Sequence, residues 1–169
     1  MSIDVRQLLE YVVRPALSRL SDGPSYLFSG AAEQLVIGTA AQESKLRWIR
    51  QVGGGPAVGL WQMEPATFYD IRDRFVKTQP YLWDAFGKSS IDLQPEPLEL
   101  TYNWLLAAVC CRIKYVMSSM KLPALDDIQG MARMWKVVYN TAGGSGKEED
   151  FMQSWQTLIA PANLKWRRI

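Results

Sequence analysis

Ala40-Ala41-Gln42-Glu43-Ser44, followed fifteen residues past Ser44 by Gly59-Leu60-Trp61-Gln62-Met63-Glu64-Pro65, is the stretch from which the rest of the chain can be read. Apolar spacing predicts a helix over about 31–43, with Val36, Ala40 and Glu43 at i, i+4 and i+7 on one face. That face should meet a core, so a carboxylate continuing it is expected to be partly desolvated. Burial disfavours the charged form, and the negative end of the helix dipole pushes the same way. Both effects suit Glu43 to general-acid chemistry near neutral pH and make it the candidate catalytic residue. A lone glutamate at a helix end is ordinarily a solvated cap. The glycine-bearing polar loop downstream is what changes that reading.

Working outward, apolar residues recur at helical spacing in segment after segment, and no stretch sustains the alternation of a half-exposed strand. The expected class is all-α, or α with a minor β-hairpin. A first helix is expected near 2–20 with Pro15 as a kink or break, and turn chemistry follows at Ser21-Asp22-Gly23-Pro24-Ser25. Residues 52–59 carry four glycines and a proline and should form a loop or short hairpin. Pro65 suits the first turn of a helix reaching about Val76, and a short aromatic helix is expected around 81–86. Pro95-Glu96-Pro97 should open the longest helix, to about Met120, apolar nearly all round and therefore central. Further helices are expected over 126–140 and 148–159, separated by Gly143-Gly144-Ser145-Gly146.

Composition narrows the classes. At 169 residues the chain fits one domain, 1–169, with no repeat or linker. With 19 Lys and Arg against 17 Asp and Glu, the charge is too balanced for a nucleic-acid partner. Histidine is absent, which removes Ser-His-Asp and Cys-His catalysis and leaves no zinc cluster; neither metal nor cofactor is expected. Cys110 and Cys111 sit in an apolar run and read as small buried hydrophobes. That run, 104–111, is far short of the roughly 20 residues of a membrane span. No secretory signal is visible at the N-terminus, which implies synthesis in the cytoplasm. Lys165-Trp166-Arg167-Arg168 reads as a solvated basic tail. Gly53-Gly54-Gly55 lacks the Lys-Ser/Thr pair and preceding strand of a phosphate cradle.

Three segments stand in order on this helical chain: Glu43-Ser44 at a helix end, Gly59-Leu60-Trp61-Gln62 in a loop, and Val138-Tyr139-Asn140-Thr141-Ala142-Gly143 late in the chain. Together they resemble the catalytic domain of lytic transglycosylases and, more distantly, goose-type lysozymes. In that family the pattern is Glu-Ser, then Gly-Leu-Met-Gln, then Ala-Tyr-Asn followed by Ala-Gly. The resemblance covers roughly 31–143 and includes Pro65-Ala66-Thr67 as a proline-led helix start. Trp61 stands where the family has methionine, and the loop lacks the serine that commonly precedes Gly59.

The resemblance implies a lysozyme-like single domain that cleaves peptidoglycan glycan strands between N-acetylmuramic acid and N-acetylglucosamine. By it, Glu43 acts as acid and then as base, closing a 1,6-anhydro ring without the second carboxylate of paired-carboxylate glycosidases. Ser44, Gly59, Leu60, Gln62, Tyr139 and Asn140 become candidate substrate-binding residues, with Tyr139 orienting Glu43 and Asn140 closing its helix in a left-handed cap. Trp48 and Trp61 would flank the cleft. A hydrolytic variant would need a group to position water, for which Asp70, Asp73 and Glu64 are nearest in sequence, although the two aspartates read as solvated. Many phages carry such enzymes, so the expected setting is an endolysin released through a holin or a virion-associated protein acting on the cell wall beside other virion proteins. The other readings are a lysozyme-type hydrolase, a glycosidase of chitin-like chains, and a non-catalytic virion protein that keeps the scaffold for structure or glycan binding.

Overall fold

The protein is described by a computed structural model covering residues 2–140 and 144–168. Among these residues the fold is all-α, with seven helices: α1 (5–18), α2 (Gly30–Ser44), α3 (Pro65–Asp73), α4 (Pro80–Ser89), α5 (Trp104–Val116), α6 (128–140) and α7 (148–159). The β content among the described residues is two isolated antiparallel bridges, Arg50 with Val58 and Val58 with Met63, which fold 50–63 into a tight double turn.

Two helices are buried nearly all round and form the centre. α2 starts at Ser29, whose hydroxyl accepts from Ala32 N at 3.2 Å, and every residue from Gly30 to Ala41 is buried. α5 starts at Asn103, whose side chain accepts from Leu106 N, and it buries Leu106 through Ile113 and Tyr115. α1 and α7 pack against α2, while α1, α3 and α4 pack against α5, and α6 lies on both α5 and α7. The small residues of α2 permit this closeness. A side chain at Gly38 would collide with the Phe151 ring of α7, and one at Gly30 with the Arg167 carbonyl.

Three expectations are corrected. The helix expected over 95–120 is two pieces, a 3₁₀ turn at Pro97–Thr101 and α5 from Trp104, so the longest helix is α2 instead. Asn103 decides this break: besides capping α5, it donates from Nδ2 to Ser89 O at 2.7 Å and to buried Glu99 at 2.6 Å. Local side-chain bonding of this kind competes with helix continuation. Second, of the kink or break expected at Pro15, no break occurs: α1 continues through it. A π-turn at Leu9–Val13, in which Arg14 N bonds Leu9 O, precedes it and takes up the mismatch of the missing N–H.

Third, the C-terminal segment is not a solvated tail. Glu33 of α2 is 0% exposed and faces Arg14 of α1 at 3.0 Å, while its other oxygen accepts from Arg167 N at 3.1 Å. Trp166 stacks on Trp155 at 5.9 Å. A buried carboxylate is tolerable only when paired and hydrogen-bonded, so Glu33 ties 165–167 back across α1 and α2. Cys110 and Cys111 are buried and free, as expected. No helix among the described residues is long and apolar enough to cross a membrane.

Candidate functional site

The C-terminal end of α2 opens onto a cleft of about 400 Å³ with Glu43 in its lining. The chain must turn sharply there to leave the core. It does so through two consecutive left-handed residues, Lys45 (φ 53°) and Leu46 (φ 54°), neither of them glycine. Lys45 N accepts the closing role by donating to Ala41 O at 3.1 Å. Non-glycine residues in this region carry strain of order 1 kcal/mol or more each, and such strain clusters at functional sites. The turn is held from below by Lys45 Nζ, which donates to Gln42 Oε1 at 2.9 Å and to Ser154 Oγ of α7 at 2.7 Å.

Glu43 is only partly exposed, and burial is the largest influence on its carboxyl, raising the pKa from 4.5 to about 7. Two effects oppose the rise: a hydrogen bond from Trp135 Nε1 to Oε1 at 2.7 Å and the nearby Lys45 charge. The Trp135 bond occupies Oε1, leaving Oε2 as the oxygen to carry the proton. A carboxyl half-protonated near neutrality can both donate and retrieve a proton there.

Trp135 lies at the first position of the π-turn Trp135–Asn140, which widens α6 where it faces α2. Its indole is buried against Phe151 at 5.9 Å. The loop that follows presses on it closely, because a side chain at Gly146 would meet Trp135 at 2.6 Å. π-turns of this kind are frequent at functional sites because they re-aim side chains without ending the helix. Here one turn brings Trp135, Tyr139 and Asn140 to the same end of α2.

The second wall comes from the double turn. Gly59 has φ +76° and N–H bonded to Ile49 O at 2.9 Å, and a Cβ there would lie 2.5 Å from Leu100 O, so only glycine fits. Gln62 is also left-handed (φ 44°) and donates from Nε2 to Gly59 O at 2.7 Å. This places Gln62, Met63, Glu64 and Thr67 along one side of the cleft, with Gln51 beside them. Tyr139, Asn140 and Ser145 line the other side, and Lys114 reaches in from α5.

Of the residues singled out from sequence, Glu43, Gln62, Tyr139 and Asn140 line one cleft. Ser44, Gly59 and Leu60 support it from behind. The Ser44 hydroxyl is buried and donates to Ala40 O at 2.9 Å, and Leu60 is core. Tyr139 does not orient Glu43: its hydroxyl donates to Trp61 O at 2.8 Å, clamping the loop to α6. Burial holds its phenol well above the usual range, so it remains a donor. Asn140 is not the left-handed cap of α6. Its Oδ1 accepts from Lys136 Nζ at 2.9 Å, and among the described residues Asn140 is not one of those with positive φ. Thr141, Ala142 and Gly143 lie outside the described residues.

Trp61 offers no stacking face. It is 1% exposed and donates from Nε1 to Val36 O at 2.8 Å, using its extra length to pin the loop onto α2. Trp48 is exposed, under the Arg47 guanidinium. Asp70 and Asp73 pair with Arg74 and Arg72 and stand outside the cleft lining, whereas Glu64 is within it. Among the described residues no cluster of three or more ligating side chains able to hold a metal ion occurs.

Sequence reasoning missed Trp135 as the partner of Glu43. Its position four residues before Tyr139, on the same helical face, was the available signal. Lys114, Thr67 and Gln51 gave no local signal at all. No family model, curated protein or solved structure matches the chain.

Proposed function

We propose that this protein cleaves the β-1,4 bond between N-acetylmuramic acid and N-acetylglucosamine in bacterial peptidoglycan by a lytic-transglycosylase mechanism. The observation that carries the reading is the Glu43 carboxyl, its pKa raised to about 7, in a cleft lined by the Gln62 loop and by Tyr139 and Asn140. Oε2 gives its proton to the glycosidic oxygen as the bond to the muramic C1 breaks. The Trp135 N–H stabilises the carboxylate that results. The muramic 6-hydroxyl oxygen then bonds to C1 and its proton returns to Glu43, which ends as it began. Gln62 and Asn140 offer amide groups that both donate and accept toward sugar hydroxyl and acetamido groups.

Delivery as a phage endolysin or within a virion belongs to the same proposal and rests on the family resemblance. Glu64 in the cleft lining favours one second reading, a lysozyme-type hydrolase in which that carboxylate positions water. Digestion of purified peptidoglycan by the wild type and by Glu43→Gln separates the readings through muropeptide mass. Anhydro-muramyl products from the wild type alone support the transglycosylase. Products heavier by one water support the hydrolase. No product from either protein overturns both and leaves a glycan-binding or structural role.

A further inference from the structure

A second cavity, about 380 Å³, lies on the other flank of α5. Lys114 faces the Glu43 cleft, whereas Arg112, Tyr115 and Val116 face this one, so the two spaces are separated by the helix itself. Its remaining walls are the 118–122 segment, Tyr26 and Met134.

Arg112 is the unusual group here. Its residue is 2% exposed, yet it forms no ion pair among the described residues. Nε donates to Leu27 O at 3.1 Å and Nη2 to Tyr26 O at 3.2 Å, two neutral carbonyls. Nη1 donates to no described protein atom, and no buried side-chain nitrogen or oxygen among the described residues lacks a partner. Nη1 is therefore reached by solvent, and the space it reaches is the cavity it lines. A buried guanidinium with no counter-charge is costly, and an anion supplied from outside relieves that cost. Burial holds its pKa down to about 10, and no carboxylate contributes to its surroundings.

The rest of the lining sets the ligand class. Lys121 adds a second positive charge at the mouth, and Ser118 and Ser119 add hydroxyl groups. No acidic side chain lines the space. Val116, Met120, Leu122 and Met134 supply an apolar wall beside these polar groups. Nε and Nη2 of the guanidinium are already engaged, so one oxygen is met by Arg112 Nη1 and the other by Lys121. We propose that this cavity binds a small organic carboxylate, its charge between Arg112 and Lys121 and its hydrocarbon part against Met120 and Met134. An inorganic anion would leave the apolar wall unfilled, and a neutral apolar molecule would leave Arg112 uncompensated.

Methionine-methyl NMR of the full chain tests this with hexanoate, 1-hexanol and inorganic phosphate as probes. Hexanoate should shift the Met120 and Met134 methyl signals saturably, with a Kd on the order of 1 mM for so small a ligand. The Met63 methyl, which lines the Glu43 cleft, should stay in place. Lys121→Glu, at an exposed position, should weaken hexanoate binding about tenfold or more by reversing the charge at the mouth. Arg112→Met should abolish it if that variant folds. Equal shifts with 1-hexanol, stronger shifts with phosphate, movement of Met63 alone, no saturable shift, or unchanged affinity in Lys121→Glu would each overturn the proposal.

Discussion

Replacing Glu43 by glutamine should make the protein more stable, and only above a definite pH. The folded carboxyl titrates near 7 and the unfolded one near 4.5, a gap of about 2.5 units. Each unit corresponds to about 1.36 kcal/mol between protonation states, so the full difference is about 3 kcal/mol. The folded protein binds the extra proton between these values, so its stability falls as pH rises from 4.5 to 7 and levels off beyond. Glutamine keeps an oxygen for the Trp135 N–H but never charges. The variant should therefore match the wild type near pH 4 and exceed it by up to about 3 kcal/mol at pH 8. For a chain of this size that is roughly 10 °C in Tm. Urea or thermal denaturation of both proteins across that pH range measures it. Two parallel curves with a constant offset would show that Glu43 is not desolvated in the folded state and would refute the acid assignment together with its cause.

Three other outcomes are expected. Trp135→Phe keeps the ring against Phe151 but removes the N–H that lowers the Glu43 pKa; the alkaline limb of the pH–activity profile should move to higher pH while the rate at the optimum falls, and an unmoved limb would make Trp135 packing alone. Gly59→Ala places a Cβ 2.5 Å from Leu100 O at φ +76° and should cost about 2 kcal/mol or more in urea unfolding, with Gln62 displaced from the cleft. Glu33→Leu leaves Arg14 and Arg167 without their buried partner and should destabilise by about 3 kcal/mol, with early proteolysis of the C-terminal segment as its local signature.

The candidate site was legible where chemistry follows from local order. Glu43 could be placed at the inner face of a helix end because apolar residues at Val36 and Ala40 define that face. The glycine at 59 and the proline at 65 marked a turn and a helix start, and both stand there in the fold. Roles that depend on distant partners were misread. Tyr139 and Trp135 share one helical face, and spacing along it cannot say which reaches Glu43 and which reaches Trp61 O. The π-turn that rotates them relative to each other has no signature in residue type. Trp61 likewise looks from sequence like a sugar platform, and only the Val36 carbonyl beside it shows that its polar edge is already satisfied.

By itself the sequence determined the all-α class, the burial of both cysteines, the helix carrying Glu43 and the loops that interrupt the chain. These follow from periodicity and from glycine and proline, whose backbone limits hold wherever they stand. Only the tertiary structure decided where the helix after Pro97 begins, what the C-terminal basic residues do and how far the Glu43 carboxyl is desolvated. Each of those is a balance between a buried polar group and partners brought from far along the chain, Glu99 with Asn103, Glu33 with Arg14 and Arg167, and Glu43 with Trp135. The energy of a buried charge is set by what surrounds it in space, and that is fixed only when the helices pack.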